Sequence, residues 1–359
     1  MHRPVPNPAP RVLHIVPALF GAGGLYGGAE RYAQELSRAM ARVTPTRLVG
    51  FGRPAARRRD GDLEIVTLRN QLPGWRFATS PASLALWPHL AWADVIHCHQ
   101  IYTMATSLAL LYGRARHKPV YVTDHAGGGW SLQSRFHLDP WFAGRLWVSG
   151  FSRGERPALP GDRIIWGGVD AQDFHPAAAA PEGERPALYV GRLLPVKSVD
   201  LLIRAVDATT PVEILGPAYD AGYAATLHQL AQGKRVRFRP PAEGEALVRA
   251  YQNALCVVLP GTEMFSLTLL EAMACATPVI CVRSSGMVEA LEDGVTGFII
   301  PSGDERALAE KIGWLRQYPA AARAMGEAGR RRVLRDLTWT AVAGRCLEAY
   351  RSPNGVSSR

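Results

Sequence analysis

The segment Arg11-Val-Leu-His-Ile-Val16 leads through Gly21-Ala-Gly-Gly-Leu-Tyr-Gly-Gly28 into residues 29–43, where Ala29, Tyr32, Leu36, Met40 and Val43 recur at helical spacing. A β-branched strand, a glycine loop and an amphipathic helix, in that order, open a doubly wound α/β domain. The pattern continues with strands over 94–98, 120–123, 145–149 and 163–166 and a helix over 102–112. Residues 177–186, rich in Pro, Ala and Glu, predict a linker. The pattern then starts again. Strands are expected over 187–190, 212–215, 236–238, 256–259 and 278–282, and helices over 200–207, 247–253, 267–274, 287–291 and 306–316. A closing helix is expected over 339–351. The expected architecture is α/β, with two doubly wound domains facing across a cleft. The first spans 1–176 and is completed by 339–351; the second spans 187–338. Ligands of such sheets bind beyond the carboxyl ends of the strands.

At 359 residues, 47% hydrophobic and 20% charged, the chain has a globular rather than a disordered composition. The formal net charge is +10, and residues 1–180 hold 20 Lys+Arg against 12 Asp+Glu. The excess therefore sits in the first half, where an acidic partner is expected. Five cysteines form no C-x-x-C pair and read as buried thiols of a reducing compartment. The proline-rich start lacks a secretory h-region, and no apolar run reaches 18 residues. The expected location is cytoplasmic, with peripheral attachment at the inner face of the cell membrane.

The first glycine loop is not a dinucleotide fingerprint. G-x-G-x-x-G from Gly21 needs glycine at 26, where Tyr26 stands, and no acidic residue closes the next strand. A loop that brings backbone close to a phosphate or sugar at a helix N-terminus remains, beside a glycine turn that serves only packing. In the second half, Gly191-Arg192-Leu193 ends a strand and Lys197 stands where the next helix begins. Two cations and a helix N-terminus suit a diphosphate, although the same residues also fit two solvated surface cations. Gly261-Thr-Glu263-Met-Phe265-Ser-Leu-Thr-Leu-Leu-Glu271 puts one carboxylate on a loop and another within a helix. Eight helical residues span about 12 Å. That is too far for the pair of carboxyls about 5 Å apart in a retaining glycosidase. Separate roles follow, one carboxylate at a sugar and one at a ribose, with an exposed helix carboxylate as the plain alternative for Glu271.

These motifs, in order, resemble glycosyltransferase family 4, whose members have the GT-B fold. The resemblance covers most of the chain: Gly27-Gly28-Ala29-Glu30, Asp94-Val-Ile-His97-Cys-His99, Thr123-Asp124-His125, Gly168-Val169-Asp170, Gly191-Arg192-Leu193 with Lys197, Glu263 to Glu271, and Gly286, Glu289, Asp293-Gly294 and Gly297-Phe298. It implies transfer of a sugar from a nucleotide-diphosphate sugar with retention, without a bound metal or cofactor. The acceptor would be lipid-linked, a polysaccharide or a small molecule. Glu263, His125, Arg192 and Lys197 would be catalytic. Arg192 and Lys197 would neutralise the leaving diphosphate, assisted by Phe265, Ser266 and Leu267 at a helix start. Glu263 would hold sugar hydroxyls, Glu271 the ribose, and Gly27 and Gly28 the diphosphate or acceptor. His99 and Asp124 are placed on the acceptor side. His97 and His99 are expected to face opposite sides of their strand.

Ser198, Ser266, Ala276 and Met287 stand where the family usually has glycine, and Gly167 where it usually has asparagine. These changes raise a degenerate donor-binding protein as an alternative; a nucleotide-sugar epimerase is another, against which the E-x7-E segment argues. Arg53 and Arg57-Arg58-Arg59 read as a basic loop. Seven of nine tryptophans precede residue 180, and Trp75-Arg76-Phe77 pairs a cation with aromatics. An anionic membrane surface is therefore an expected partner of the first domain, beside a solvated arginine surface as the plain reading. No nucleic-acid-binding module is recognisable.

Overall fold

The computed structural model describes residues 9–17, 27–71, 80–125, 131–179 and 183–351. Most of the first glycine loop and Trp75-Arg76-Phe77 lie outside the described residues. The chain forms two compact units. The first comprises residues 1–166 together with 339–359, and the second residues 167–338. The division thus falls ahead of the segment 177–186. Residues 167–176 belong to the second unit because they pack there: Val169 N donates to Leu337 O, and the Phe174 ring lies against Tyr251.

In the first unit the strands are β1 (Val12–Ile15), β2 (Thr46–Phe51), β3 (Ala56–Asp60), β4 (Leu63–Leu68), β5 (Val95–His99), β6 (Val120–Thr123), β7 (Gly144–Trp147) and β8 (Arg163–Ile164). They form one sheet in the order β3-β4-β2-β1-β5-β6-β7-β8, parallel except for the antiparallel edge strand β3. Of the arginines read as a basic loop, Arg57, Arg58 and Arg59 lie on this edge strand, and Arg53 precedes it. Arg57, Arg58 and Arg59 are exposed on it, and Arg57 Nε meets Glu64 Oε1 at 3.1 Å. Charge along an unpaired edge discourages further strand addition.

The second unit has β9 (Ala187–Val190), β10 (Val212–Leu215), β11 (Val236–Arg239), β12 (Cys256–Leu259), β13 (Val279–Val282) and β14 (Phe298–Ile300). Their order, β11-β10-β9-β12-β13-β14, is all parallel. In sequence terms that is 3-2-1-4-5-6, the doubly wound order. Strands covered on both faces need apolar residues throughout, which is why Cys256-Val-Val-Leu259 and Val279-Ile-Cys-Val282 show no alternation and are wholly buried.

Besides the short helices Trp87–Trp92, Leu132–Phe136 and Gly150–Arg153, two longer helices escape sequence periodicity. Ala221–Leu230 buries only Leu227, and Pro319–Asp336 buries Ala322, Met325, Gly326, Gly329 and Val333. Small residues on the inner face leave almost no apolar stripe to read. The segment 287–291, expected as a helix, is the 3-10 turn Gly286–Ala290. The five cysteines are buried free thiols.

The chain returns to the first unit at Trp339. Helix Trp339–Arg351 buries Trp339, Val342, Ala343, Cys346, Ala349 and Tyr350. Tyr121 Oη donates to Ala349 O at 2.9 Å, and the Trp339 ring meets Tyr32 edge-on at 5.1 Å.

Two of the replaced glycines keep a glycine's backbone. Ser198 has φ 49° and Ala276 φ 57°. Ala276 follows the C-cap of helix Leu267–Ala274, the position where left-handed backbone ends a helix. An L-residue there costs roughly 1–2 kcal/mol. Ala276→Gly should therefore stabilise the second unit by about 1 kcal/mol, raising its melting temperature by about 2–4 °C. Calorimetry checks this; an unchanged or lower transition contradicts it.

Candidate active site

In the second sheet the chain order reverses between β9 and β12, which are neighbours. Connections leaving these two strands run to opposite sides and leave a crevice at their carboxyl ends. The loops that emerge there are 191–198 and 260–266. Gly261 lets them touch. A Cβ on it would lie 2.7 Å from Lys197 Cα and 2.6 Å from Val196 O, so any side chain would push the loops apart. With that approach, Lys197 Nζ meets Glu263 Oε2 at 2.9 Å, both side chains being largely buried. Two residues sixty-six positions apart in sequence thus form one ion pair.

Glu263 is held from a second side. Its carbonyl accepts from Gly286 N at 2.8 Å and from Ser285 Oγ at 2.8 Å. Ser285 and its two bonds to the Glu263 backbone were not legible in the sequence, because they depend on β12 and β13 lying side by side. Arg192 is exposed, and its guanidinium makes no ion pair or hydrogen bond among the described residues. Its carbonyl accepts from Tyr189 Oη at 3.0 Å, which holds the turn.

Helix Leu267–Ala274 begins beside these groups. Ser266 takes the N-cap position in extended backbone, but its side chain does not cap, so the first-turn N–H groups have no cap from it. The Phe265 ring fills the space beside Gly167, where a Cβ would lie 2.5 Å from Phe265 Cε1. Glycine in place of the family's usual asparagine is thus matched to this ring. Glu271 is 2% exposed, and its Oε2 accepts from Tyr251 Oη at 2.7 Å. It is not an exposed helix carboxylate. Arg192, Lys197, Glu263, Phe265, Ser266 and Leu267 all belong to the loops and helix start at this crevice. Two cations and free N–H groups at a helix start attract a doubly charged anion.

In the first unit β1 and β5 are the corresponding neighbours, and their register puts His14 beside His97. His97 and His99 do not face opposite sides. Strand side chains repeat every two residues, so positions i and i+2 share a face, and the two rings stack with centroids 4.6 Å apart. His14 Nδ1 lies 3.0 Å from His99 Nε2, and His99 Nδ1 lies 3.4 Å from His125 Nε2. His14 Nε2 is 3.4 Å from Met40 Sδ. His97 bonds to Thr123 Oγ1 and Tyr350 Oη, each at 2.7 Å. Burial pushes all four imidazoles towards the neutral form: His14 and His125 to about 3, and His97 and His99 well below the usual value. Tyr32 meets the His125 ring edge-on at 4.6 Å. The sequence singled out His97, His99 and His125 but not His14, which looks like one more residue of a buried strand until β1 is paired with β5.

His14, His97 and His99 are also the trio whose ligand atoms could converge on a metal ion, lying within 4.8 Å of one another. Every ring nitrogen of the three already has a protein partner, as given above. Asp124 is a buried carboxylate paired with Arg156 at 3.2 Å. Gly27 is the N-cap of helix Gly28–Ala41 in ordinary extended backbone. A Cβ on Gly28 would touch nothing among the described residues, and one on Gly27 would meet only the Glu30 side chain. Packing among the described residues does not demand glycine at either place.

The neutral histidines have a consequence for acid stability. His14 and His125 bind protons when unfolded but not when folded between the ordinary value near 6.5 and about 3, and His97 and His99 likewise stay neutral in the folded state below the ordinary value. Stability is therefore full above pH 6.5 and is lost as pH falls below it. Each histidine fully within that window contributes a slope of roughly 1.4 kcal/mol per pH unit. Melting of the first unit should fall steeply from pH 7 to 5. A flat profile would refute the buried neutral cluster.

The description "Glycosyltransferase Family 4" matches residues 26–156, and "Glycosyl transferases group 1" matches residues 170–332. The D-inositol 3-phosphate glycosyltransferase of Frankia alni is 29% identical over 419 residues, covering 96% of this chain and 100% of that protein. The enzyme of that name from Mycobacterium avium is 32% identical over 206 residues, 52% of this chain and 48% of that protein. Sucrose-phosphate synthase from Thermosynechococcus elongatus has the same fold, with TM-score 0.74, 22% identity, and 95% of this chain and 98% of that one covered. So does Anabaena Alr3699/HepE, solved in complex with UDP-glucose: TM-score 0.74, 16% identity, coverage 96% and 100%. With matched motifs in both α/β units and a reversal-point site in the second, the chain belongs to glycosyltransferase family 4 and is a glycosyltransferase of the GT-B fold.

Proposed function

We propose that the protein transfers a sugar, with retention and without a metal, from a nucleotide-diphosphate sugar to an anionic acceptor carried by the first unit. The observation that carries this reading is the Lys197–Glu263 ion pair beside exposed Arg192 at the reversal point of the second sheet. Arg192 and Lys197 would take the leaving diphosphate, supplying the charge that a divalent ion supplies elsewhere. The first-turn N–H groups around Phe265, Ser266 and Leu267 would add to that field. Glu263, fixed by Lys197 and Ser285, would accept hydrogen bonds from sugar hydroxyls. Glu271, oriented by Tyr251, would hold the ribose. His125 would contact the donor sugar, while Gly27 and Gly28 would leave room for diphosphate or acceptor. His99 and Asp124 are each tied to a protein partner, which favours support of the acceptor side over direct contact. Retention of configuration rests on the family resemblance.

Several observations support this reading over a degenerate binding protein. The cations and both glutamates are in place, and Ser198 and Ala276 keep the backbone of the glycines they replace. For the acceptor, charge is the guide. The first unit holds 23 Lys+Arg against 11 Asp+Glu, and the second 18 against 20. A positive unit suits a phosphorylated acceptor, and the names of the similar proteins specify an inositol phosphate.

The test is release of nucleoside diphosphate from UDP- and GDP-hexoses, with and without D-inositol 3-phosphate and with and without a chelator. Acceptor-dependent release that persists in chelator is expected. Lys197→Ala and Glu263→Ala should each lower kcat by about 10²–10³ with the fold retained by circular dichroism. Wild-type rates in either variant would overturn the site.

No helix among the described residues is long and apolar enough to cross a membrane. Attachment, if the acceptor is a lipid, would run through the exposed Arg57–Arg59 edge, with Leu84 and Trp87 also exposed. Co-sedimentation with phosphatidylglycerol vesicles should then appear at low salt and vanish at high salt. No sedimentation at low salt removes the membrane from the proposal.

A further inference from the structure

We infer that Met40, His14 and His99 form a one-way chain of hydrogen bonds that presents His125 to its ligand as an acceptor at Nδ1. The use of that atom for sugar selection rests on the reading of His125 as a donor-sugar contact; the chain itself does not.

A neutral imidazole has one N–H and one lone pair, so each ring in a row must donate at one nitrogen and accept at the other. The row here runs Met40 Sδ, His14 Nε2 at 3.4 Å, His14 Nδ1 to His99 Nε2 at 3.0 Å, and His99 Nδ1 to His125 Nε2 at 3.4 Å. Burial keeps all three rings neutral. The thioether at the end can accept but has no proton to give. It therefore selects the direction. His14 carries its proton on Nε2, towards sulfur, so its Nδ1 accepts from His99 Nε2–H. His99 Nδ1 then accepts from His125 Nε2–H. What remains on His125 is the Nδ1 lone pair. The opposite direction would set the His14 Nε2 lone pair against the sulfur lone pairs in a fully buried place.

His97 shows what the thioether adds. It stacks on His99, but its partners, Thr123 and Tyr350, are hydroxyls that can donate or accept. Nothing in that pair selects a tautomer. Met40 is thus a positioning residue, two rings removed from His125. An Nδ1 lone pair accepts a hydrogen bond from a hydroxyl and repels a carboxylate oxygen. At the position His125 contacts, a neutral hexose is favoured over the corresponding uronic acid.

The test is a long-range proton–nitrogen correlation spectrum of the full chain with ¹⁵N-labelled histidine, assigned through single His→Gln variants. His14, His99 and His125 should all appear as Nε2–H tautomers. A predominant Nδ1–H form at any of the three overturns the proposal. Met40→Leu, nearly equal in volume, removes the terminal acceptor. His14 and His125 should then move towards Nδ1–H, and the KM for a nucleotide-hexose should rise by up to about tenfold, the scale of one lost hydrogen bond, with little change in kcat. Unchanged tautomers in Met40→Leu overturn the role of Met40, whatever the kinetics. If the tautomers behave as stated but His125→Ala leaves KM for the hexose donor unchanged, the chain stands and the donor-sugar reading of His125 falls.

Discussion

The close approach of two loops at Gly261 is the constraint on which the candidate site depends. Parallel pairing of β9 with β12 brings the loops to one end of the sheet, but a sheet spacing alone would leave room for side chains between them. The missing Cβ of Gly261 lets the Lys197 backbone pack directly on the following loop. Lys197 and Glu263 can then meet while largely buried. A largely buried charge is tolerable only when paired, so each residue fixes the other. Ser285 completes the arrangement from the neighbouring strand connection. Glu263 is thereby set before any substrate arrives, and electrostatic stabilisation requires such preorganisation.

The first unit meets a different problem, that of four imidazoles packed together, with His14, His97 and His99 buried. It solves the problem by neutrality and by pairing every ring nitrogen of His14, His97 and His99 within the protein. The cost is sensitivity to acid. The unit's surface carries the opposite character, because its excess of arginine is spread along exposed positions such as the β3 edge. Charge thus separates by place: solvated cations outside, neutral rings inside. The second unit has almost no net charge and concentrates its electrostatics in a few residues at one crevice.

Much of this was legible in residue order. Strands 187–190, 212–215 and 256–259 and helix 267–274 coincide with the observed elements, since buried parallel strands read as short apolar runs. Arg192, Lys197, Glu263 and Glu271 were singled out as candidates through spacing and motif. Pro319–Asp336 was missed because alanine and glycine make up most of its inner face, with only Met325 and Val333 as larger apolar side chains. The arginine strand β3 was missed because an exposed edge needs no apolar pattern. The orientation of His97 and His99 was misjudged against the two-residue period of a strand. Ser285, Tyr251 and His14 carry no local signal, since each matters only through a partner distant in sequence.

The sequence by itself determined the repeated strand–loop–helix plan, the uneven charge and the residue types at the candidate site. These are local properties, set by periodicity, by turn chemistry and by which side chains carry charge. Tertiary structure decided where the two units divide, which carboxylate pairs with Lys197, that Glu271 is buried under Tyr251, and that a methionine ends a row of three histidines. Those outcomes depend on strand order and register, and pairing across tens of residues is decided by how whole faces bury against one another. Neither is written in any one segment of the chain.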